Sequence, residues 1–291
     1  MIDELNILPC HSIWKPSINY EETLCFGLDR EEWVLVSFQI EGNDHLAMVE
    51  QILKCLISST KNRITVLSGG YTKKEFPHIS ESKSYYTLMM KYYNALSDKD
   101  LVEQLKKKIY ETNFSTLITT FDGLLNKSQK DICVENFLLE EFAMDSFDNL
   151  YFSLALLKHY HDIKHLKNVI ITGFGFKEKR FKDLHWKYCG AENKLPQCAL
   201  NFDSNYPIHN ELGKQTFYLQ GVECGERIHG YELFVMDPYA LRSKLYDKKN
   251  DRNFSGLSAY GSEFGRYLIK LDSALSDKDL LIKIQQSDLY K

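Results

Sequence analysis

The chain has 291 residues, 44% hydrophobic and 26% charged, so it can bury a substantial core in one large domain or two ordinary ones. A formal charge of −4 gives no general attraction to nucleic acid or to an anionic membrane, and 13% aromatics with only 6 prolines argue against long disordered linkers. No run of about 18 apolar residues occurs, and Met1-Ile2-Asp3-Glu4 lacks the basic and apolar segments of a signal peptide, so the expectation is a cytoplasmic protein without a membrane partner.

In chain order, Leu5-Asn6-Ile7-Leu8-Pro9-Cys10 predicts a short first strand that runs out at His11. Residues 33–40 are ambiguous: the composition favours a strand, yet Trp33, Val36 and Ile40 share a helical face. From Asp44 onward, Leu46, Val49, Ile52, Leu53 and Leu56 recur at three- and four-residue spacing and predict an amphipathic helix. Ile64-Thr65-Val66-Leu67 predicts the second strand, closing on Ser68-Gly69-Gly70, and Ser80-Glu81 opens a helix ten residues later. The heptapeptide Ala-Leu-Ser-Asp-Lys-Asp-Leu occurs at 95–101 and again at 274–280, which reads as two helix starts with similar capping needs.

Asp131-Ile132-Cys133-Val134-Glu135 predicts the third strand, and residues 142–160 a long amphipathic helix. Residues 168–173 form the fourth predicted strand, running into Gly173-Phe174-Gly175, with a helix over 178–188; residues 198–202 form the fifth. Strands separated by helices argue for an α/β fold with a mainly parallel sheet, whose right-handed crossovers place every loop after a strand on one edge. From about Asp203 turn residues multiply and residues 239–246 read as helical, so the chain divides into a core domain, 1–205, and a C-terminal extension, 206–291, packed on it.

Seven cysteines (10, 25, 55, 133, 189, 198 and 224) form no C-x-x-C pair and no zinc-type cluster, which reads as reduced, mostly buried thiols. The two glycine-ended strands carry the chemistry. A strand ending in glycine before a helix presents backbone N–H groups and a positive helix end, which suits an anionic or polar ligand. Ser68, Gly69, Gly70 and Gly173 are therefore candidate backbone donors, with Glu81 and Gly175 beside them. Lys177, Lys179, Arg180 and Lys182 follow at once; such a cluster is often a solvated face, but the Arg180 guanidinium can hold an oxyanion by two parallel hydrogen bonds, with Lys177 alongside.

Glu141, Asp145 and Asn149 lie at i, i+4 and i+8, one stripe of the predicted helix. Like charges four apart cost an isolated helix about 0.2–0.5 kcal/mol, which a cation, metal or ligand would offset; the bland alternative is that the helix dipole welcomes acids at its start. Asp145, Glu141 and His11 are the acid–base candidates, whereas His185 reads as structural. Gly173-Phe174-Gly175 lacks the rest of a dinucleotide fingerprint, since position 178 is Glu.

Taken together and in order, Ser68-Gly69-Gly70 with Ser80-Glu81, Glu141 with Asp145-Ser146-Phe147-Asp148-Asn149, and Gly175-Phe176-Lys177 with Arg180-Phe181 resemble the successive motifs of the SanA/YdcF/ElyC-like family, a domain-of-unknown-function family with a Rossmann-like core. Leu8-Pro9-Cys10-His11-Ser12-Ile13-Trp14 looks like the opening of its fungal cytosolic branch, and Gly225-Glu226 and Asp237-Pro238-Tyr239 resemble that branch's C-terminal extension. The resemblance implies a doubly wound sheet with helices on both faces, and it tips residues 33–40 towards helix or irregular structure. One bacterial relative type is associated with S-adenosylmethionine, which makes that molecule the leading ligand expectation. The chain departs from the pattern at Phe174, where bacterial members tend to carry histidine. The functional expectation is an enzyme or ligand-binding protein for a nucleotide-like or anionic small molecule. The alternatives are a phosphoesterase-like hydrolase with a divalent metal on the carboxylate stripe, and a non-catalytic adaptor with a decayed site.

Overall fold

The computed structural model describes residues 1–17 and 26–291, so Cys25 lies outside the described residues. Five strands, β1 (Glu4–Pro9), β2 (Arg63–Ser68), β3 (Phe137–Glu140), β4 (Asn168–Phe174) and β5 (Ala199–Asn205), form one all-parallel sheet in the order β3-β2-β1-β4-β5. This is the Rossmann-like, doubly wound α/β architecture. The strand order reverses between β1 and β4, the place where such sheets open a crevice beyond the carboxyl ends of their strands.

Both faces of the sheet are covered, which explains why the strands read as continuous apolar runs and not as alternations. Leu5, Ile7, Ile64, Val66, Val169 and Ile171 point into one core, while Leu8, Leu67 and Phe174 point into the other. The second core is closed by α1 (Asp44–Ser58), α2 (Glu81–Ala95), α3 (Lys99–Glu111) and α4 (Ser115–Leu125). The first is closed by α5 (Ser146–Tyr160) and by α6, residues 178–188, which contains a π turn at Phe181–His185. Asn6, within central strand β1, is buried yet satisfied: it accepts from Thr172 Oγ1 at 2.9 Å and donates to Cys55 Sγ at 3.4 Å.

The C-terminal segment belongs to the same first core. It comprises α7, residues 215–236 with a π turn at Arg227–Tyr231, then α8 (Lys244–Arg252) and α9 (Asp277–Gln286). Phe234, Tyr239, Leu245, Phe264, Leu280 and Leu289 are buried there among Ile171 and Phe181. Among the described residues no helix is long and apolar enough to cross a membrane. The described cysteines are free, with Cys10, Cys55, Cys133 and Cys189 buried and Cys224 exposed.

Three sequence expectations are corrected. The third strand is not 131–135 but Phe137–Glu140; the β-branched run is broken by 3-10 turns at Gln129–Asp131 and Val134–Asn136. The helix expected from 142 starts at Ser146, because the Asp145 side chain accepts from the Asp148 amide and caps it. Of residues 239–246 only 244–246 are helical: Asp237 accepts from the amides of Leu241, Arg242 and Ser243, folding a turn that delays helix α8 to Lys244. Residues 33–40 are irregular up to a short helix, Ser37–Glu41. The repeated heptapeptide does start two helices, in different registers: Asp98 caps α3, whereas Ser276 caps α9.

Candidate functional site

The glycine loop after β2 is spent on the protein itself. Gly69 N donates to Glu140 O at 3.0 Å and Gly70 N to Ala143 O at 2.9 Å. At the start of α2, Glu81 N and Ser82 N donate to the carbonyls of Gly70 and Gly69, and Ser80 Oγ takes the Lys83 amide. The expectation of free backbone donors at Gly69 and Gly70 is thus overturned. Their glycines serve close approach of two chain segments: a Cβ on Gly70 would lie 2.9 Å from Ala143 O, and one on Gly69 3.0 Å from the Cβ atoms of Cys10 and Glu81. Gly173 sits within β4, paired with Ser204 of β5, and Gly175 lies under the Tyr206 ring.

Beneath this loop a buried polar knot ties β2, β3 and α5 together. Ser68 Oγ donates to Glu140 Oε2 at 2.5 Å and accepts from Asn149 Nδ2 at 2.9 Å. Glu140 Oε1 accepts from the amides of Phe142 and Ala143. Complete burial pushes the Glu140 carboxyl up to about 8, overriding these donors. Ser68 and Asn149 are therefore structural braces behind the site.

Glu141, Asp145 and Asn149 do not form a stripe on one helix, since only Asn149 is helical. Glu141, in the loop, accepts from Ser80 Oγ at 2.6 Å. Asp145, at the cap, faces Lys249 Nζ at 3.2 Å, and the same ammonium lies 2.6 Å from Asp148 Oδ1. Burial and the neighbouring Asp145 push the Asp148 carboxyl up, while the two carboxylates raise Lys249 against its burial. This triad fastens α8 of the extension onto the N-terminus of α5. Glu81 takes the Thr72 hydroxyl and is raised by burial.

What gathers at the switch point itself is positive charge. His11, just after β1, stacks on Phe174, the last residue of β4, at a centroid distance of 5.3 Å. Burial, then the charges of Lys177, Arg180, Arg252 and Lys73, hold His11 neutral. Lys177 Nζ lies 3.2 Å and 3.4 Å from the two His11 nitrogens, and burial with Arg180 lowers it to about 7. Arg180 is 8% exposed, stacks over Phe234 and lies 3.3 Å from Glu226 Oε1. Each partner of that pair immediately precedes a π turn, and Gly230 leaves room for the guanidinium: a Cβ there would sit 2.7 Å from it. From α8, Arg252 donates to Met144 O at 2.9 Å, and Lys248 is lowered by burial and by Arg252 and Arg180. Among the described residues, Lys73, Lys177, Lys248 and Arg252 have no carboxylate within ion-pair distance.

The chain is 31% identical over 263 residues to a protein of Saccharomyces cerevisiae named "Uncharacterized protein YOR238W", covering 86% of this chain and 83% of the yeast protein. It belongs to that protein's family. No protein-family model matches the chain, and no solved structure matches it.

Within this family member, sequence reasoning brings His11, Lys177, Arg180 and Asp145 to one rim, whereas Ser68, Gly69, Gly70 and Asn149 lie in the scaffold beneath it. It misses Lys73, Lys248, Lys249 and Arg252. For Lys248, Lys249 and Arg252 the signal was slight: a serine cap, Ser243, ahead of a charged segment that reads as a solvent-facing helix. Chemically, the rim offers several unneutralised cations, a neutral imidazole and a partly open lysine. It does not offer three converging metal ligands among the described residues.

Proposed function

We propose that this protein binds a small anionic molecule, phosphate-bearing and nucleotide-like, at the switch point between β1 and β4. One observation carries the reading: Lys73, Lys177, Lys248 and Arg252, from three distant stretches, converge with no carboxylate at ion-pair distance among the described residues, Glu81 and Glu226 lying farther off. Unpaired cations held near one another cost free energy that a bound anion returns. Arg180 and the Glu226 carboxylate then set the rim's geometry, and Arg252 offers a planar donor to a phosphate oxygen. S-adenosylmethionine suits this charge less well, because its sulfonium would face the same cations. The SanA/YdcF/ElyC-like resemblance and the free, mostly buried cysteines support placing the protein in the cytoplasmic branch of that family.

Isothermal titration with ATP, AMP, inorganic phosphate and S-adenosylmethionine tests this. The reading expects heat from the phosphate compounds, weakened at least about tenfold in Arg252→Ala, as for loss of a charge-assisted hydrogen bond of about 1.5–3 kcal/mol. Silence from every phosphate compound at millimolar concentration, or binding of S-adenosylmethionine alone, overturns it.

A further inference from the structure

Lys177 differs from the other cations of the cluster in its surroundings. Its amine faces both nitrogens of His11, at 3.2 and 3.4 Å, and lies 5.4 Å and 5.8 Å from the ring centroids of Phe174 and Phe176. The residue as a whole is partly exposed. An amine beside a neutral imidazole, in an apolar niche flanked by guanidinium groups, is the arrangement that keeps a lysine nucleophilic. On the strength of the anion-binding reading, we propose that Lys177 is a reactive amine that captures an aldehyde or ketone bearing an anionic group, holding it as a Schiff base while Arg252 and Arg180 hold the anion.

The step balances without any co-reactant. The Nζ lone pair attacks the carbonyl carbon, forming the N–C bond, and the C=O π pair moves to oxygen. His11 takes the proton released by Nζ and passes it to that oxygen; it then carries the second Nζ proton to the resulting hydroxyl, which leaves as water as the nitrogen lone pair forms the second N–C bond. Hydrolysis runs the same steps backwards and frees the amine. The charges that Lys177 senses come from several elements around it: Arg180 on α6, which begins just after Lys177, and Arg252 on α8 favour the free amine, while Glu226 on α7 and Asp44 on α1 oppose them. Burial is the larger influence, and at about 7 a substantial fraction of Lys177 is unprotonated near neutrality. An ordinary exposed lysine is almost fully protonated there.

Pyridoxal 5′-phosphate serves as the probe, an anionic aldehyde whose imine absorbs visibly and is fixed by borohydride. Pyridoxine 5′-phosphate, the same anion without a carbonyl, is its control. With the full wild-type chain, peptide mass mapping should place the reduced adduct on Lys177 at least about tenfold ahead of exposed Lys182 and Lys291, with pyridoxine 5′-phosphate competing. His11→Gln should slow capture about tenfold or more. If pyridoxine 5′-phosphate binds but Lys177 stays unlabelled, or labelling simply follows exposure, the Schiff-base assignment is wrong and the anion site stands. If neither compound binds nor labels the site, the anion reading falls as well. Since the mapping uses the wild-type chain, the outcome does not depend on any variant folding.

Discussion

Replacing Glu140 by glutamine should convert a pH-dependent fold into one that is stable further into alkaline solution. Glu140 is completely buried, and its carboxyl is raised from the usual 4.5 to about 8. A folded group that holds its proton more tightly than the unfolded chain contributes stability that is intact below 4.5 and lost as the pH rises through about 8. Each tenfold change in proton affinity is worth about 1.4 kcal/mol, so ionising Glu140 in place costs the native state about 3–5 kcal/mol. Glutamine fits the same knot: its Oε1 can take the Phe142 and Ala143 amides, and its Nε2 can donate to Ser68 Oγ once that hydroxyl, which donates to Glu140 in the native protein, turns away. Urea denaturation of both proteins from pH 5 to pH 9 makes the comparison. The two should agree within about 1 kcal/mol at pH 5, with Glu140→Gln ahead by about 3–5 kcal/mol at pH 9. Other carboxyls raised by burial, such as Asp44, titrate in both chains and cancel in the difference. Parallel pH profiles would refute the claim that burial, and not the three hydrogen bonds, sets the charge of this carboxyl.

Lys249→Met should destabilise the protein by about 3–5 kcal/mol at pH 8, since it leaves Asp145 and Asp148 buried without their cation. The loss should shrink at pH 6, where Asp148 takes up a proton, and Asp148→Asn in the same chain should recover part of it; equal loss at both pH values would contradict this. Gly70→Ala should cost about 1–3 kcal/mol in chemical denaturation, because its Cβ would press on the Ala143 carbonyl. Gly221→Ala, in open space on α7, should instead gain about 0.5–1 kcal/mol. If the two glycines respond alike, the close-approach explanation for the β2 loop is wrong.

Much of the architecture could be read from the residues because burial on both faces writes itself as β-branched runs. Ile64-Thr65-Val66-Leu67 and Val169-Ile170-Ile171 are of this kind, and both lie in central strands. The third strand escaped because Phe137-Leu138-Leu139-Glu140 is short and leucine-rich, at a sheet edge, while the more β-prone Ile132-Cys133-Val134 is interrupted by flanking 3-10 turns. The start of α5 was misplaced because Phe142, Ala143 and Met144 extend the apolar pattern; Asp145, with an acid three residues on, was the stop signal. The site was half visible. His11, Lys177 and Arg180 follow strands whose ends meet by topology. Lys248 and Arg252 sit on an extension helix docked by Leu245, by the Arg252–Met144 hydrogen bond and by one ion triad, and neither periodicity nor composition reports such tertiary contacts. The glycines misled for a similar reason: the same sequence suits a ligand or a neighbouring backbone, and here Ala143 is the neighbour.

The most direct measurement is a crystal structure of the full chain with a phosphate-bearing nucleotide at saturating concentration. The account predicts a phosphate group beyond the ends of β1 and β4, within hydrogen-bond distance of Lys177 and Arg252. A nucleotide seated elsewhere, or an empty rim despite saturation, would contradict it.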